Sequence, residues 1–157
     1  MALYETASPG PAWDKEHRHL FSGVNPSWDH VIFSGSTNIA GSQGEPGDKW
    51  IENTYHLIVG PWWKDVQRVV PYVTMNGFAN DNWDEVDKAG WNISDLDWDT
   101  VGGTTQPHIN EERIRLKFTI EIKGKDSSLF RIAYHVTAAG RGIGDKGLNS
   151  PDPGVNQ

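Results

Sequence analysis

The run from Arg113 to Lys123 constrains this chain more than any other segment. Ile114, Leu116, Phe118, Ile120 and Ile122 alternate strictly with Arg113, Arg115, Lys117, Thr119, Glu121 and Lys123. Successive side chains of an extended strand point to opposite faces, so the pattern specifies a long strand with one buried and one wet face. A second run follows, with Phe130, Ile132, Tyr134, Val136 and Ala138 on one face and Arg131, Ala133, His135 and Thr137 on the other. Gly124-Lys125-Asp126-Ser127-Ser128 joins the two. Facing residues share a face, which suggests an antiparallel hairpin with Ile122 opposite Phe130, Ile120 opposite Ile132 and Phe118 opposite Tyr134. Glu121 then opposes Arg131, an ion pair on the wet face.

Further strand signals lie at His30–Ser36, Ile51–Val59 and Val66–Met75, separated by the Gly-rich 41–47 stretch and by Gly60-Pro61. Pro71 inside the last run marks an edge strand or a bulge, because proline has no N–H to give to a ladder. One short helix is expected over Trp83–Ala89, with Asn82 as its cap, Glu85 completing a capping box and Gly90 beyond its end. The expected fold is therefore all-β and mostly antiparallel, a β-sandwich or alternatively a small β-barrel, with one short helix. Its organisation reads as an N-terminal arm over 1–12, a single domain over 13–140 and a Gly/Pro-rich tail over 141–157.

Composition sets limits on function. The 157 residues include 8 Trp, 5 Phe and 4 Tyr, enough large aromatics to build one core. The formal net charge is −7 and the basic residues are scattered, which argues against a nucleic-acid binder and for repulsion from anionic membranes. There is no Cys, so disulfides, thiolate nucleophiles and Cys-ligated zinc are excluded. No run is long and apolar enough for a helical membrane span. The N-terminus lacks the basic and apolar regions of a signal peptide, so a cytoplasmic protein or a processed secreted form is expected.

Gly142-Ile143-Gly144-Asp145-Lys146-Gly147 spells the dinucleotide fingerprint, but the residues after it cannot form the required helix and second strand. The irregular Trp-Asp dipeptides do not make a propeller. Asp95, Asp97 and Asp99 alternate and could offer oxygens to Ca²⁺, yet Thr100 and Gln106 occupy the positions where an EF-hand needs Gly and Glu. The plainer reading is a solvated acidic loop, and no cofactor is expected beyond that candidate ion. His17 and His19 would share one face of an extended strand, an arrangement suited to a metal.

Gly60-Pro61-Trp62-Trp63 places two indoles at a turn, where one or both could be exposed. Exposed Trp beside Asn and Asp makes a surface that stacks on sugar rings. The favoured expectation is thus a non-catalytic, lectin-like domain binding a glycan or another neutral polar ligand through Trp62, Trp63, Trp98, Asn80 and Asn82. An alternative is a barrel enzyme, an isomerase, cyclase or hydratase, using His135, His56 and Tyr134 on a hydrophobic small molecule. A third reading is a structural or assembly protein that self-associates through its Trp-rich loops.

Overall fold

The structure, a computed structural model, describes residues 2–6, 16–21, 28–39, 43–81 and 88–143. Seven strands make up these residues: β1 (Ala2–Thr6), β2 (His17–Phe21), β3 (Asp29–Asn38), β4 (Ile51–Asn80), β5 (Gly90–Gly102), β6 (Glu112–Lys123) and β7 (Ser127–Ile143). They hydrogen-bond in the order β2-β3-β7-β4-β6-β5, with β1 added to β4. Every pairing is antiparallel except that of β1, which runs parallel to the start of β4 from Ala2↔Asn53 to Thr6↔Leu57. The fold is all-β, and among the described residues no α-helix is present. The helix expected over Trp83–Ala89 falls mainly on residues 82–87, which lie outside the described residues, as do 7–15 of the N-terminal segment and 144–157 of the tail.

The two strongest strand signals are both strands, but they are not partners. β6 pairs with the first half of β4, from Ile51↔Ile122 to Val59↔Ile114, and with β5. β7 pairs with the second half of β4, from Trp63↔Ile143 to Asn80↔Ser127, and with β3. The short turn at Gly124–Asp126, closed by Ser127 N–H donating to Gly124 O at 3.1 Å, hands the chain from one ladder to the other. The expected Glu121–Arg131 pair is therefore absent. Glu121 lies opposite Glu52 and Asn92, and Arg131 donates to Asn38 Oδ1 and Ser36 Oγ. Alternation dictates which face a residue takes and leaves the partner strand open. Tyr55, Leu57 and Val59 on β4 meet the apolar face of β6 as well as β7 could have done.

The registers show that β4 doubles back. Ile51 and Asn80 both lie at the Gly124–Asp126 end, and residues 60–63 form the corner at the other. Gly60 makes the corner with φ of +79°, and a Cβ there would sit 2.8 Å from Phe33 Cζ. Leaving a ladder strands the backbone N–H and C=O of the corner residue, and buried unpaired groups are costly. Side chains solve this. The fully buried Glu16 accepts the Gly60 N–H at 3.0 Å, the Tyr134 hydroxyl at 2.6 Å and Arg18 Nε at 2.7 Å. Arg113, also fully buried, donates Nε to Gly60 O at 2.9 Å. Around this node Val31, Phe33, Leu57, Trp63, Leu116, Ile132 and Val136 pack as one core drawn from both ladders. In its second half β4 has β7 as its single strand partner among the described residues, so Pro71 lies on an edge as its chemistry requires.

Two outcomes test the corner. Gly60→Ala should cost about 2–4 kcal/mol, combining left-handed strain with overpacking against Phe33, read as a lower urea midpoint with unchanged m-value. Burial, reinforced by the Glu16 carboxylate, holds the Tyr134 phenol well above its ordinary value of 10.0. Its contribution to stability is complete below that value and is lost as pH rises towards the folded value. Tyr134→Phe should therefore flatten the alkaline limb of the stability–pH curve, and absorbance at the phenolate band should show one tyrosine of the native protein resisting ionisation.

Candidate functional site

The residues singled out from sequence disperse in the structure. Trp63 is 0 % exposed and belongs to the core. Trp62 is half-buried, and its ring already stacks on the His108 imidazole, with centroids 4.5 Å apart and planes 8° apart. The Arg113 guanidinium lies 5.7 Å from the same ring, and His108 Nδ1 is 3.1 Å from Glu111 Oε1. Trp98 packs against the core from β5. Asn80 pins the turn, donating to Lys125 O at 3.1 Å and Ser127 Oγ at 2.7 Å. Asn82 lies outside the described residues.

The acidic segment is not a loop beyond Gly90. Residues 90–102 form edge strand β5, with a bulge between Ser94 and Asp97 and a left-handed Asp95 at φ of 53°. Cross-strand charge complementarity overcomes the poor strand propensity of Asp and Gly. Asp99 makes a bidentate pair with Arg115 at 2.8 and 2.6 Å, and Lys117 Nζ is 3.7 Å away. Asp97 Oδ1 accepts the Trp98 N–H. Among the described residues no three His, Asp or Glu side chains gather as a metal site. The three candidate acid–base residues point apart: Tyr134 is inside, His135 is exposed opposite Tyr72, and His56 sits on the other ladder opposite Lys117.

A different surface combines an accessible ring with polar neighbours. It is the outward face of the β4–β6–β5 ladder at the Gly124 end. Trp50, immediately before β4, is 45 % exposed. Its ring lies over Gly90, where a Cβ would come within 3.1 Å of Trp50 Cη2, so only glycine lets the indole settle on the sheet at that distance. Lys123 Nζ stands 5.9 Å from the ring and 3.1 Å from Asp48 Oδ1. The next row across the three strands is Glu52, Glu121 and Asn92, with Asn92 Nδ2 donating to Glu121 Oε2 at 3.1 Å. Beyond it Thr54 and Thr119 face one another, with hydroxyls 3.5 Å apart. Two carboxylates directly opposite each other disfavour a sheet. Glu52 and Glu121 hold that position beside an exposed aromatic ring.

None of Trp50, Asp48, Glu52, Glu121 or Lys123 was selected from sequence as a ligand contact. The strand over Arg113–Lys123 put Glu121 and Lys123 on its wet face, but their neighbours depend on pairing with β4 and β5. The one local signal was Trp50 itself, between a Gly-rich loop and an alternating run. Comparisons with protein-family models, with curated proteins and with solved structures find no significant match to this chain.

The same face supplies an acid-sensitive contact. The hydrogen bond from Arg115 holds the Asp99 carboxyl below its ordinary value of 3.8, with the charges of Arg115 and Lys117 adding to the effect. That contribution is present above 3.8 and is lost as pH falls towards the folded value. Asp99→Asn should lower stability at neutral pH and make the acid limb of the unfolding curve shallower, measured by denaturant titration across that range.

Proposed function

We propose that this chain is a non-catalytic binding domain for a glycan or another neutral polar ligand, and that the ligand stacks on Trp50. The observation that carries this reading is the exposed indole packed closely over Gly90 beside Glu52, Glu121 and Asn92. A sugar ring presents an apolar C–H face and a rim of hydroxyls. An indole matches the first with a large contact area and little conformational cost. Carboxylate acceptors match the second, and charge-assisted hydrogen bonds are stronger than neutral ones. Lys123 and Asn92 add donors at the two sides of the row. The ring and Glu52 are exposed at the surface, which suits part of an extended chain better than a fully enclosed small molecule.

The reading moves the stacking role from the Gly60–Trp63 corner to Trp50. At the corner, Trp62 has its ring covered by His108 and Trp63 has none free. A panel of neutral oligosaccharides titrated against intrinsic Trp fluorescence tests the proposal. Trp50→Ala should weaken the best ligand at least about tenfold, the loss expected for an aromatic anchor worth more than about 1.4 kcal/mol. It should leave the melting temperature nearly unchanged, whereas Trp62→Ala should lower the melting temperature and spare binding. Failure of every neutral glycan to bind, or full binding by Trp50→Ala, would sink the reading.

A further inference from the structure

The second half of β4 carries the sole Asn-Gly step of the chain, Asn76-Gly77. The ladder with β7 is broken on both sides of Gly77. Met75 pairs with Ile132 and Gly77 with Arg131, so Asn76 has no partner on β7. Phe78 then pairs with Leu129, so Phe130 is the surplus residue of β7. Two compensating bulges thus stand side by side. A bulged residue is left out of the ladder, and its strand bends there. Asn76 is exposed, and its side chain makes no hydrogen bond among the described residues. Packing favours glycine at 77, where a Cβ would come within 2.6 Å of Phe130 Cε2 and 3.0 Å of Arg131 Cβ. The bulge on β7 therefore sets a residue without a side chain directly after Asn76.

These features meet the needs of an attack by the backbone on an asparagine side chain. The nitrogen of the following residue must reach Cγ to close a five-membered ring, and reactions within one chain gain greatly when the reacting atoms can be brought together. A side chain on that residue obstructs the approach. A regular ladder also prevents it, by holding the strand extended with the two atoms apart. Glycine removes the first obstacle, and the bulge relaxes the second. The other asparagines of the described residues each lack a condition. Asn53 is buried, Asn80 donates to Lys125 O and Ser127 Oγ, and Asn38 Oδ1 accepts from Arg131. Asn92 and Asn110 are exposed, but Ile93 and Glu111 follow them.

We propose that Asn76 is a site of spontaneous covalent modification, at which the folded chain turns its own asparagine into isoaspartate and aspartate with water as the only co-reactant. Loss of the Gly77 amide proton makes its nitrogen a nucleophile. That nitrogen bonds to Asn76 Cγ, the Cγ–Nδ2 bond breaks, and Nδ2 leaves as ammonia after taking up a proton. Water then opens the cyclic imide. Attack at Cγ releases the nitrogen there and gives aspartate. Attack at the main-chain carbonyl carbon gives isoaspartate, in which the backbone runs through Cβ. Nothing is oxidised or reduced. Either product adds a carboxylate, which makes the formal net charge of −7 one unit more negative. The isoaspartyl form also lengthens the main chain by one carbon, at a point of β4 that already has no register partner. The inference is independent of the Trp50 surface, which lies on the other ladder.

Ageing the full chain in mildly alkaline buffer at physiological temperature tests it, once folded and once unfolded in urea, with peptide mass mapping at intervals. In the folded chain Asn76 should convert at least about tenfold faster than Asn92 or Asn110, and within about tenfold of its own rate in the unfolded chain. The rate should rise with pH, because the attacking nitrogen must lose its proton. The aged protein should become a methyl acceptor for an isoaspartyl methyltransferase supplied with labelled S-adenosylmethionine. Asn76→Gln, an exposed change whose longer side chain cannot close the five-membered ring, should abolish both the mass change and the methylation with circular dichroism unchanged. Three results would overturn the proposal. One is protection of Asn76 by more than about tenfold in the folded chain relative to the unfolded one. The second is equally fast conversion at Asn92 or Asn110, which would make exposure alone the cause. The third is aspartate without isoaspartate, which would mean direct hydrolysis with no ring.

Discussion

The arrangement depends on how Glu16 meets Gly60. A strand of 30 residues cannot stay straight in a domain of this size, and β4 turns at Gly60, where the backbone leaves one ladder before joining another. The turn would leave two backbone groups without ladder partners inside the protein. The carboxylate from the start of β2 takes the N–H, and the guanidinium from the start of β6 takes the C=O. The same carboxylate takes the Tyr134 hydroxyl from β7, so three strands are tied to the corner of a fourth. Ionised groups are expensive to bury singly, and removing one member of such a set is far more damaging than never having had it. Here each charge answers a need of the backbone, and the corner stays where both ladders require it.

Because β4 doubles back, one strand contributes to two outward surfaces of opposite character. On the β4–β6–β5 side, bases and acids are interleaved, as in the Asp99–Arg115 pair and the Lys123–Asp48 pair. On the β2–β3–β7–β4 side the outward rows from Asn38–Arg131 to His30–Arg68 hold histidines, hydroxyls and arginines, and Asp65 enters only at the far end, opposite Arg141. The net charge of −7 is an average over these surfaces and describes neither. A potential acts locally, over about one Debye length of some 8–10 Å at ordinary salt. A partner touching one face therefore meets the charge of that face.

This also explains what the sequence could and could not reveal. The alternation in Arg113–Lys123 and Phe130–Ala138 reports which residues are buried, and every apolar position from Ile114 to Ile122 is buried as read. The exceptions are Phe130, exposed where register shifts between Met75 and Phe78 disturb the β4–β7 ladder, and Arg113 and Thr119, read onto the wet face but buried, Arg113 at the Gly60 corner. Pairing was not legible, because each strand satisfies the facing rule with any neighbour of matching period. The glycine signal at Gly60 was visible, but its carboxylate partner lies 44 residues away. For the same reason Trp62 and Trp63 looked like binding residues, and Trp50 drew no notice. A turn position predicts departure from the sheet, whereas exposure depends on what the rest of the chain places over it. His108 covers Trp62, and the core absorbs Trp63.

The way this protein uses tryptophan bears on Trp50. Burying an aromatic side chain removes about 150–250 Å² from water, at roughly 25 cal/mol per Å². Trp63 takes all of that gain and Trp98 much of it, while Trp62 takes it partly from within its own chain by stacking on His108. Trp50 gives up nearly half, although it rests on a residue without a side chain that lets it approach the backbone. An aliphatic or polar residue there would leave the core untouched, since Ile51 begins the contact with β6. The indole is therefore unneeded for the packing below it and available to whatever lies above. The row of Glu52, Glu121 and Asn92 beside it shows the same feature in polar form. Two like charges stand face to face without a base between them in register, a cost to the sheet that a hydroxyl-bearing ligand would offset by donating to both.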